Sequence, residues 1–286
     1  MARTPPIVLT IAGFDPSSGA GVTADIKTIA AHECYGVSCI TALTVQSTRG
    51  VDRVEPVDPA LVTETLEKLL EDVEVASVHI GMLGSAEVAG AVAMVLENHA
   101  LPHVVLDPIL NSTSGASLLE ADGFGIVKNR LLSLAEVVTP NLEEAGTLTA
   151  LEINDVSHMR EAANALHALG ARNVVVTGGH LDKAIDLLSM QTTRGVEQET
   201  FKAERQKSSS THGTGCAFAT ALACHLAHER GLPEAVLLAK AYVSAAISNA
   251  HPLGHGNGPL HHLYRMAQSR RPSVTVLKEE TSRSRN

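Results

Sequence analysis

Short runs of β-branched and aliphatic residues alternate along this chain with stretches of helical period. Ile7–Ile11 and Val37–Leu43 are apolar runs of strand length, and 78–80, 104–106, 137–138 and 174–176 are shorter ones rich in Val. Residues 51–57 alternate polar and apolar, as a half-exposed strand does. Between these runs lie predicted helices over 22–31, 86–98, 121–132, 142–149 and 157–168. Asp58-Pro59 supplies a capping residue and a first-turn proline, and Leu61, Val62, Thr65, Leu66, Leu69 and Leu70 then mark one helix face. Residues 184–201 read as two adjacent strands, a hairpin on one edge. Helices over 216–229 and 232–250 follow it.

Strand–helix alternation of this kind predicts an α/β fold: a mostly parallel sheet with right-handed crossovers and helices on both faces. No linker divides the pattern, so residues 1–268 are expected to form a single domain. From Ser269 onward the apolar period is lost among Arg, Lys, Glu and Ser, which predicts a disordered tail over 269–286.

Ligands of open α/β sheets bind beyond the carboxyl ends of the strands. Small and polar residues concentrate there: Gly13 and Asp15, Gln46, Gly81-Met82, Asp107, Thr139-Pro140-Asn141, and Thr177-Gly178-Gly179-His180. A further signal is Thr211-His212-Gly213-Thr214-Gly215-Cys216, set directly before an alanine-rich helix. Glycines at a helix start leave backbone N–H groups pointing at an anion, and the helix dipole adds its positive end. Cys216 falls in the first turn, where a thiolate is favoured. A flexible helix start with a buried cysteine is the plainer alternative.

Composition narrows the function classes. Of 286 residues, 44% are hydrophobic but only 2% aromatic, so the core must be Val, Leu, Ile and Ala, which suits a parallel sheet between helices. A net charge of −9 argues against a nucleic-acid partner. No run reaches the ~18 apolar residues of a membrane helix, so no membrane role is expected. The cysteines Cys34, Cys39, Cys216 and Cys224 form no C-x-x-C pair, and no leader-like segment opens the chain. A reduced, cytoplasmic setting is the expectation.

The motif set resembles the ribokinase-like superfamily, and within it the hydroxymethylpyrimidine/phosphomethylpyrimidine kinases of thiamine biosynthesis. The matching text runs from Leu9-Thr10-Ile11-Ala12-Gly13-Phe14-Asp15 and Ala24-Asp25-Ile26-Lys27, through Gln46, Ile80-Gly81-Met82-Leu83, Asp107-Pro108 and Thr139-Pro140-Asn141-Leu142-Glu143-Glu144, to the turn at 211–216 and Gly258-Pro259-Leu260. The resemblance implies a ribokinase-like three-layer sandwich and transfer of phosphate from ATP, with Mg²⁺, to 4-amino-5-hydroxymethyl-2-methylpyrimidine and then to its monophosphate. It places Gly13, Asp25 and Gln46 around the pyrimidine with Met82 against the ring. A carboxylate and an amide can read an aminopyrimidine through paired hydrogen bonds. It puts Asp107, Asn141, Thr177 and Lys240 near the nucleotide and Glu144 at the metal, bound through water. Asn141 could equally be a helix cap, and Asp25 a solvated helix residue.

In this family Cys216 stands where sugar kinases carry a catalytic Asp, and a thiol brought near neutrality could take the proton of a primary alcohol. Phosphoryl transfer depends more on positioning and charge stabilisation than on a base. The larger effect is therefore assigned to the backbone N–H groups of Gly213, Gly215 and Cys216. Two departures stand out. Ser112-Thr113-Ser114-Gly115 lacks the family's lysine before Ser-Gly, and Thr177 stands where a lysine often precedes Gly-Gly-His. Rival readings are a pyridoxine or pyridoxal kinase, a non-catalytic pyrimidine-binding sensor and, more distantly, a dinucleotide-dependent oxidoreductase. Against the first, residues 109–115 contain no cysteine for a lid; against the last, no G-x-G-x-x-G follows the first strand. A symmetric homodimer is the expected assembly.

Overall fold

The computed structural model describes residues 4–111, 115, 118–179, 184–204, 206 and 208–266. The expectations for Ser112–Ser114, His180 and the tail lie outside these residues. Strands β1 (Ile7–Phe14), β2 (Tyr35–Ser47), β3 (Gly50–Pro56), β4 (Ser77–Ile80), β5 (Val104–Leu106), β6 (Val137–Val138), β7 (Asn173–Gly178), β8 (Ala184–Thr192) and β9 (Gly195–Ala203) form one sheet. Its order is β3-β2-β1-β4-β5-β6-β7-β8-β9. The strands from β2 to β7 in this order run parallel, while β3 at one edge and the β8–β9 hairpin at the other are antiparallel.

The helices are α1 (Gly21–Ala31), α2 (Pro59–Asp72), α3 (Ala86–Asn98), α4 (Ala121–Ile126), α5 (Leu132–Leu134), α6 (Leu142–Thr149), α7 (Val156–Ala168), α8 (Thr214–Ala227) and α9 (Leu232–Ser248). Successive strand residues face opposite ways, and the core divides accordingly. Leu9, Leu106, Val138, Val176 and Leu187 join one buried cluster with α2, α3, α6 and α7. Val8, Val105, Val137, Val175 and Leu188 join the other with α8 and α9. Both faces are therefore covered, giving three layers, and each fully buried Val or Leu contributes roughly 1.5–3 kcal/mol.

Most predicted elements are present, with differences that have physical causes. Asp58 caps α2, its Oδ1 accepting from Ala60 N at 2.9 Å. The strand expected over 37–43 extends to Ser47, because the antiparallel β3 pairs with its far half. The helix expected over 121–132 is interrupted by a π turn, Val127–Leu131. That wider turn lets consecutive Leu131 and Leu132 both enter the core, at 1% and 0% exposure. The helix expected from 216 begins at Thr214, so Gly215 and Cys216 lie inside its first turn. Among the described residues no helix is long and apolar enough to cross a membrane.

The chain moves outward from β1 to β2 and β3, then returns to β4 on the other side of β1. A crevice opens where the winding reverses, beyond the ends of β1 and β4. The strand ends stay level across the sheet: Gly81 N donates to Ile11 O, Asp107 N to Ile80 O, and Thr139 N to Leu106 O.

Candidate active site

A cleft of about 730 Å³ lies along these strand ends. Gly13, Gln46 and Met82 line one end, and Asn141, Thr177 and Lys240 line the other. Asp107, Glu144, Gly213, Gly215 and Cys216 lie between them. The sheet thus brings together eleven of the twelve nominated residues, all but Asp25.

At the first end, a Cβ on Gly13 would sit 3.0 Å from Met82 Sδ, so only glycine leaves the thioether its place beside β1. Thr41 Oγ1 donates to Met82 O at 2.6 Å and fixes the loop after β4. Along β2, Ala42 is buried, Thr44 and Gln46 are half-buried, and the intervening Leu43 and Val45 are exposed. The period of two turns Gln46 inward.

Asp25 corrects the sequence expectation. It is wholly buried and does not reach the cleft. It sits one turn into α1 on the face packed against α8, where Thr10 Oγ1 donates to Oδ2 at 2.7 Å and Thr220 Oγ1 to Oδ1 at 2.8 Å. His79 Nδ1 lies 3.3 Å from Oδ2. Asp25 therefore ties β1, β4 and α8 together beneath the floor, one helical turn below Cys216.

The turn before α8 is interlocked with the loop after β1. Gly213 adopts φ +78°, and a Cβ there would lie 1.9 Å from Gly19 O; a Cβ on Gly19 would lie 2.3 Å from His212 Cδ2. No side chain caps α8, as at α1, α4 and α9, whereas side chains cap α2, α3, α6 and α7; of the uncapped starts, those of α1 and α8 border the cleft. The first-turn N–H groups of α8 lack the intrahelical partners of later residues, which suits an anion.

Cys216 is buried at 9% exposure. Burial first, then the charges of Asp107, Asp25 and Glu144, push its thiol well above the ordinary range, against a smaller opposing effect of the Gly21 backbone. The expected drop toward neutrality is thus overturned in the ligand-free protein, because burial first, and then the three carboxylates, outweigh the helix start. The same crowding raises Asp107: burial is the main cause, followed by Glu144 and Asp25. Glu144 is pushed up to about 7, mainly by burial.

Asn141 and Glu144 form a capping box, with Asn141 Oδ1 accepting from Glu144 N and Glu144 Oε2 accepting from Asn141 N, each at 2.9 Å. The capping alternative therefore holds. Glu144 raises the neighbouring buried Asp107, and a divalent cation there would relieve that repulsion. Among the described residues no three acidic, His or Cys side chains converge as ligands, so water and phosphate would complete the shell, as Mg²⁺ prefers.

At the far end Lys240 Nζ is 2.6 Å from Asp186 Oδ2, and Gly178 N donates to Asp186 Oδ1 at 3.0 Å. Lys240 is thus paired in the ligand-free protein. Asp186, His212 and Asp15 were not nominated from sequence as site residues, yet all line the cleft. Asp186 carried a signal: a lone charge in the apolar run Ala184-Ile185-Asp186-Leu187-Leu188 of an inner strand. Cys34, Cys39 and Cys224 are buried away from the cleft.

The model of the phosphomethylpyrimidine kinase family matches residues 15–261, and the chain belongs to that family. It is 42% identical over 260 residues to the hydroxymethylpyrimidine/phosphomethylpyrimidine kinase of Streptomyces coelicolor, covering 91% of this chain and 95% of that protein. It is 45% identical over 258 residues to the thiamine biosynthesis bifunctional protein ThiED of Geobacter sulfurreducens, covering 90% of this chain but only 52% of that longer protein. Among solved structures, phosphomethylpyrimidine kinase from Clostridium difficile aligns with a TM-score of 0.75 at 34% identity, over 85% of this chain and 99% of that one. Pyridoxal kinase from Staphylococcus aureus, in complex with AMP-PCP and pyridoxal, aligns with a TM-score of 0.82 at 33% identity, over 93% and 96%. The fold is ribokinase-like, and the enzyme is a phosphotransferase.

Proposed function

We propose that this chain uses ATP to phosphorylate 4-amino-5-hydroxymethyl-2-methylpyrimidine, and then its monophosphate, in thiamine biosynthesis. One observation carries the reading. The uncapped start of α8 lines one cleft with Gly13, Gln46 and Met82, at β1, β2 and β4, and with Asn141 and Lys240 beyond β5, and its Gly215 lies beside Asp107 at the end of β5 between them. An acceptor alcohol at the Gln46 end and a γ-phosphate at the Lys240 end would meet over Gly213, Gly215 and Cys216.

The chemistry is an in-line displacement: an O–P bond forms to the acceptor oxygen, the bond to ADP breaks, and the alcohol proton leaves. The backbone N–H groups of the turn hold the transferring oxygens, the step where preorganised donors matter most. Cys216 can take the proton only as a thiolate. Its burial among carboxylates means that this requires positive charge arriving with the nucleotide. Mg²⁺ at Asp107 and Glu144 would neutralise phosphate charge when bound. Lys240, released from Asp186, is the lysine that lines the cleft among the described residues, and it replaces in part the lysine lost at Thr177.

The structural likeness to pyridoxal kinases makes pyridoxal the second acceptor to test. With ATP and Mg²⁺, the hydroxymethylpyrimidine should yield the monophosphate and then the diphosphate on one preparation. The kcat/KM for pyridoxal should be lower. Phosphorylation of pyridoxal alone would overturn the reading.

A further inference from the structure

Asp15, His212 and Thr44 form a chain of hydrogen bonds around Gln46, and its geometry decides which way the Gln46 amide points. Asp15 accepts from Ser17 N at 2.8 Å, Ser17 Oγ at 2.7 Å, Gly19 N at 3.2 Å and Ala20 N at 2.9 Å. Burial works against its charged form, but the bonds from His212, Ser17 and Ala20 outweigh it and hold the carboxyl below its ordinary value. An ionised carboxylate only accepts. His212 Nε2, 2.8 Å from Asp15 Oδ2, must therefore carry the proton.

The amide of Gln46 lies 3.2 Å from that same Nε2. With nitrogen in that place, N–H would face N–H. Thr44 raises a second conflict: its hydroxyl lies 2.9 Å from Phe14 O and 3.0 Å from Gln46 Oε1, and one proton cannot serve both acceptors. Exchanging the oxygen and nitrogen of the amide, which have the same shape, removes both conflicts at once. Thr44 then donates to Phe14 O and accepts from Gln46 N–H, while His212 N–H is shared between Asp15 and the Gln46 oxygen.

We propose that Asp15, His212 and Thr44 are positioning residues that lock Gln46 with its oxygen toward His212 and its nitrogen toward Thr44, so that the cleft reads a ring edge carrying an amino group beside a ring nitrogen, in one orientation. With both flanks engaged, the amide keeps one N–H and one oxygen lone pair for the ligand. An aminopyrimidine edge offers the complementary pair, donor beside acceptor. Its amino group goes to the oxygen on the His212 side and its ring nitrogen to the N–H on the Thr44 side. A ring whose hydroxyl and nitrogen are not adjacent cannot satisfy both, and such a mismatch is rejected more strongly than a change of size. The inference rests on the proposed reading of Gln46 as a pyrimidine contact.

The test is a double-mutant cycle on Gln46→Ala and His212→Phe, with Thr44→Val as a separate variant, measured by KM for the hydroxymethylpyrimidine, KM for ATP, kcat and melting temperature. Each single change in the cycle should raise the pyrimidine KM about 10-fold, the loss of roughly one to two hydrogen bonds. The KM for ATP and kcat should stay within about threefold, the signature of lost ground-state binding. In the Gln46→Ala background, His212→Phe should add little further. Thr44→Val should raise the pyrimidine KM about threefold with kcat and the KM for ATP unmoved, whatever stability is lost with its bond to Phe14 O. Additive effects across the cycle, or an unchanged KM in Thr44→Val, would overturn the orienting role. If Gln46→Ala itself leaves the pyrimidine KM unchanged, Gln46 is no pyrimidine contact, and the positioning inference falls while the phosphotransfer assay still stands.

Discussion

At the Gln46 end of the cleft the polar groups already satisfy one another: Asp15 gathers donors from its own loop and from His212, and Gln46 sits between His212 and Thr44. Further along, Asp107, Glu144 and Cys216 are crowded together in burial, and each is pushed toward its protonated form. The first end resembles a finished template that needs only a ligand edge. At the second, among the described residues, Lys240 is already paired with Asp186, and the buried acids await the nucleotide and its cation. Recognition is thus preorganised by hydrogen bonds, whereas the reacting region is left electrostatically unbalanced, and binding of the co-substrate would resolve it. Such an arrangement favours transfer only when both ligands are present.

The largest expected effect lies at the unbalanced end. Cys216→Ser should lower kcat by about 10²–10⁴, the usual range for losing a general base. Pyrimidine affinity should hardly change, because the N–H groups of the turn and the Gln46 chain remain. If the serine enzyme turns over normally, Cys216 is a packing residue and the backbone donors carry the step alone. A large loss of pyrimidine affinity would instead mean that the two ends are not separable.

A second variant separates charge from packing. Asp107→Asn removes one buried carboxylate while keeping its shape. Because burial and the neighbouring carboxylates disfavour the Asp107 charge, the ligand-free protein should melt at the same temperature or higher. Turnover should fall at least about tenfold, since charge stabilisation at the transferring phosphate is weakened. A lower melting temperature with normal turnover would show that Asp107 holds the fold rather than the reacting charge.

Much of this contrast was readable from the chain before its folding was known, but unevenly. Short apolar runs such as Val104–Leu106, the alternation over 51–57 and the Asp58-Pro59 start located the sheet and helices, because these signals are local. Residues just beyond strands, such as Met82 and Asp107, and Gln46 near the end of β2, were found by the rule that strand ends meet in one crevice. Asp25 escaped that rule. Its motif says that it is near the site, while only the packing of α1 against α8 reveals that it points beneath it. The His212–Asp15 contact links positions 197 residues apart, and nothing local announces such a pair. Gly19 was a partial clue, since its missing Cβ is what lets the imidazole in. The rise of the Cys216 thiol was missed for a similar reason: a helix start is visible in sequence, but the three carboxylates that overrule it come from α1, from the end of β5 and from α6.

The smallest expected effect tests the contrast without any ligand. Glu144 has a folded value of about 7, above the ordinary carboxyl value of 4.5. The folded state therefore holds a proton that the unfolded chain has released between about pH 4.5 and 7, and stability is lost as pH rises through that window. Asp15 is shifted the other way. Its contribution is present above its ordinary value of 3.8 and is lost only as pH falls further, so it is flat across the same window. Buried His32 and His262, held down to about 4, and His225, held to about 3, by burial add an opposing slope below pH 6.5, since the folded state resists protons that the unfolded chain takes up. The difference between two proteins removes that background. Unfolding free energy from denaturant titrations at pH 5, 6 and 7 should fall less steeply with pH in Glu144→Gln than in the parent chain, by up to about 1.4 kcal/mol per pH unit. The amide can still accept the Asn141 N–H of the capping box. Parallel curves for the two proteins would mean that Glu144 is not strained in the ligand-free state, and the contrast between the two ends would then rest on Asp107 and Cys216 alone.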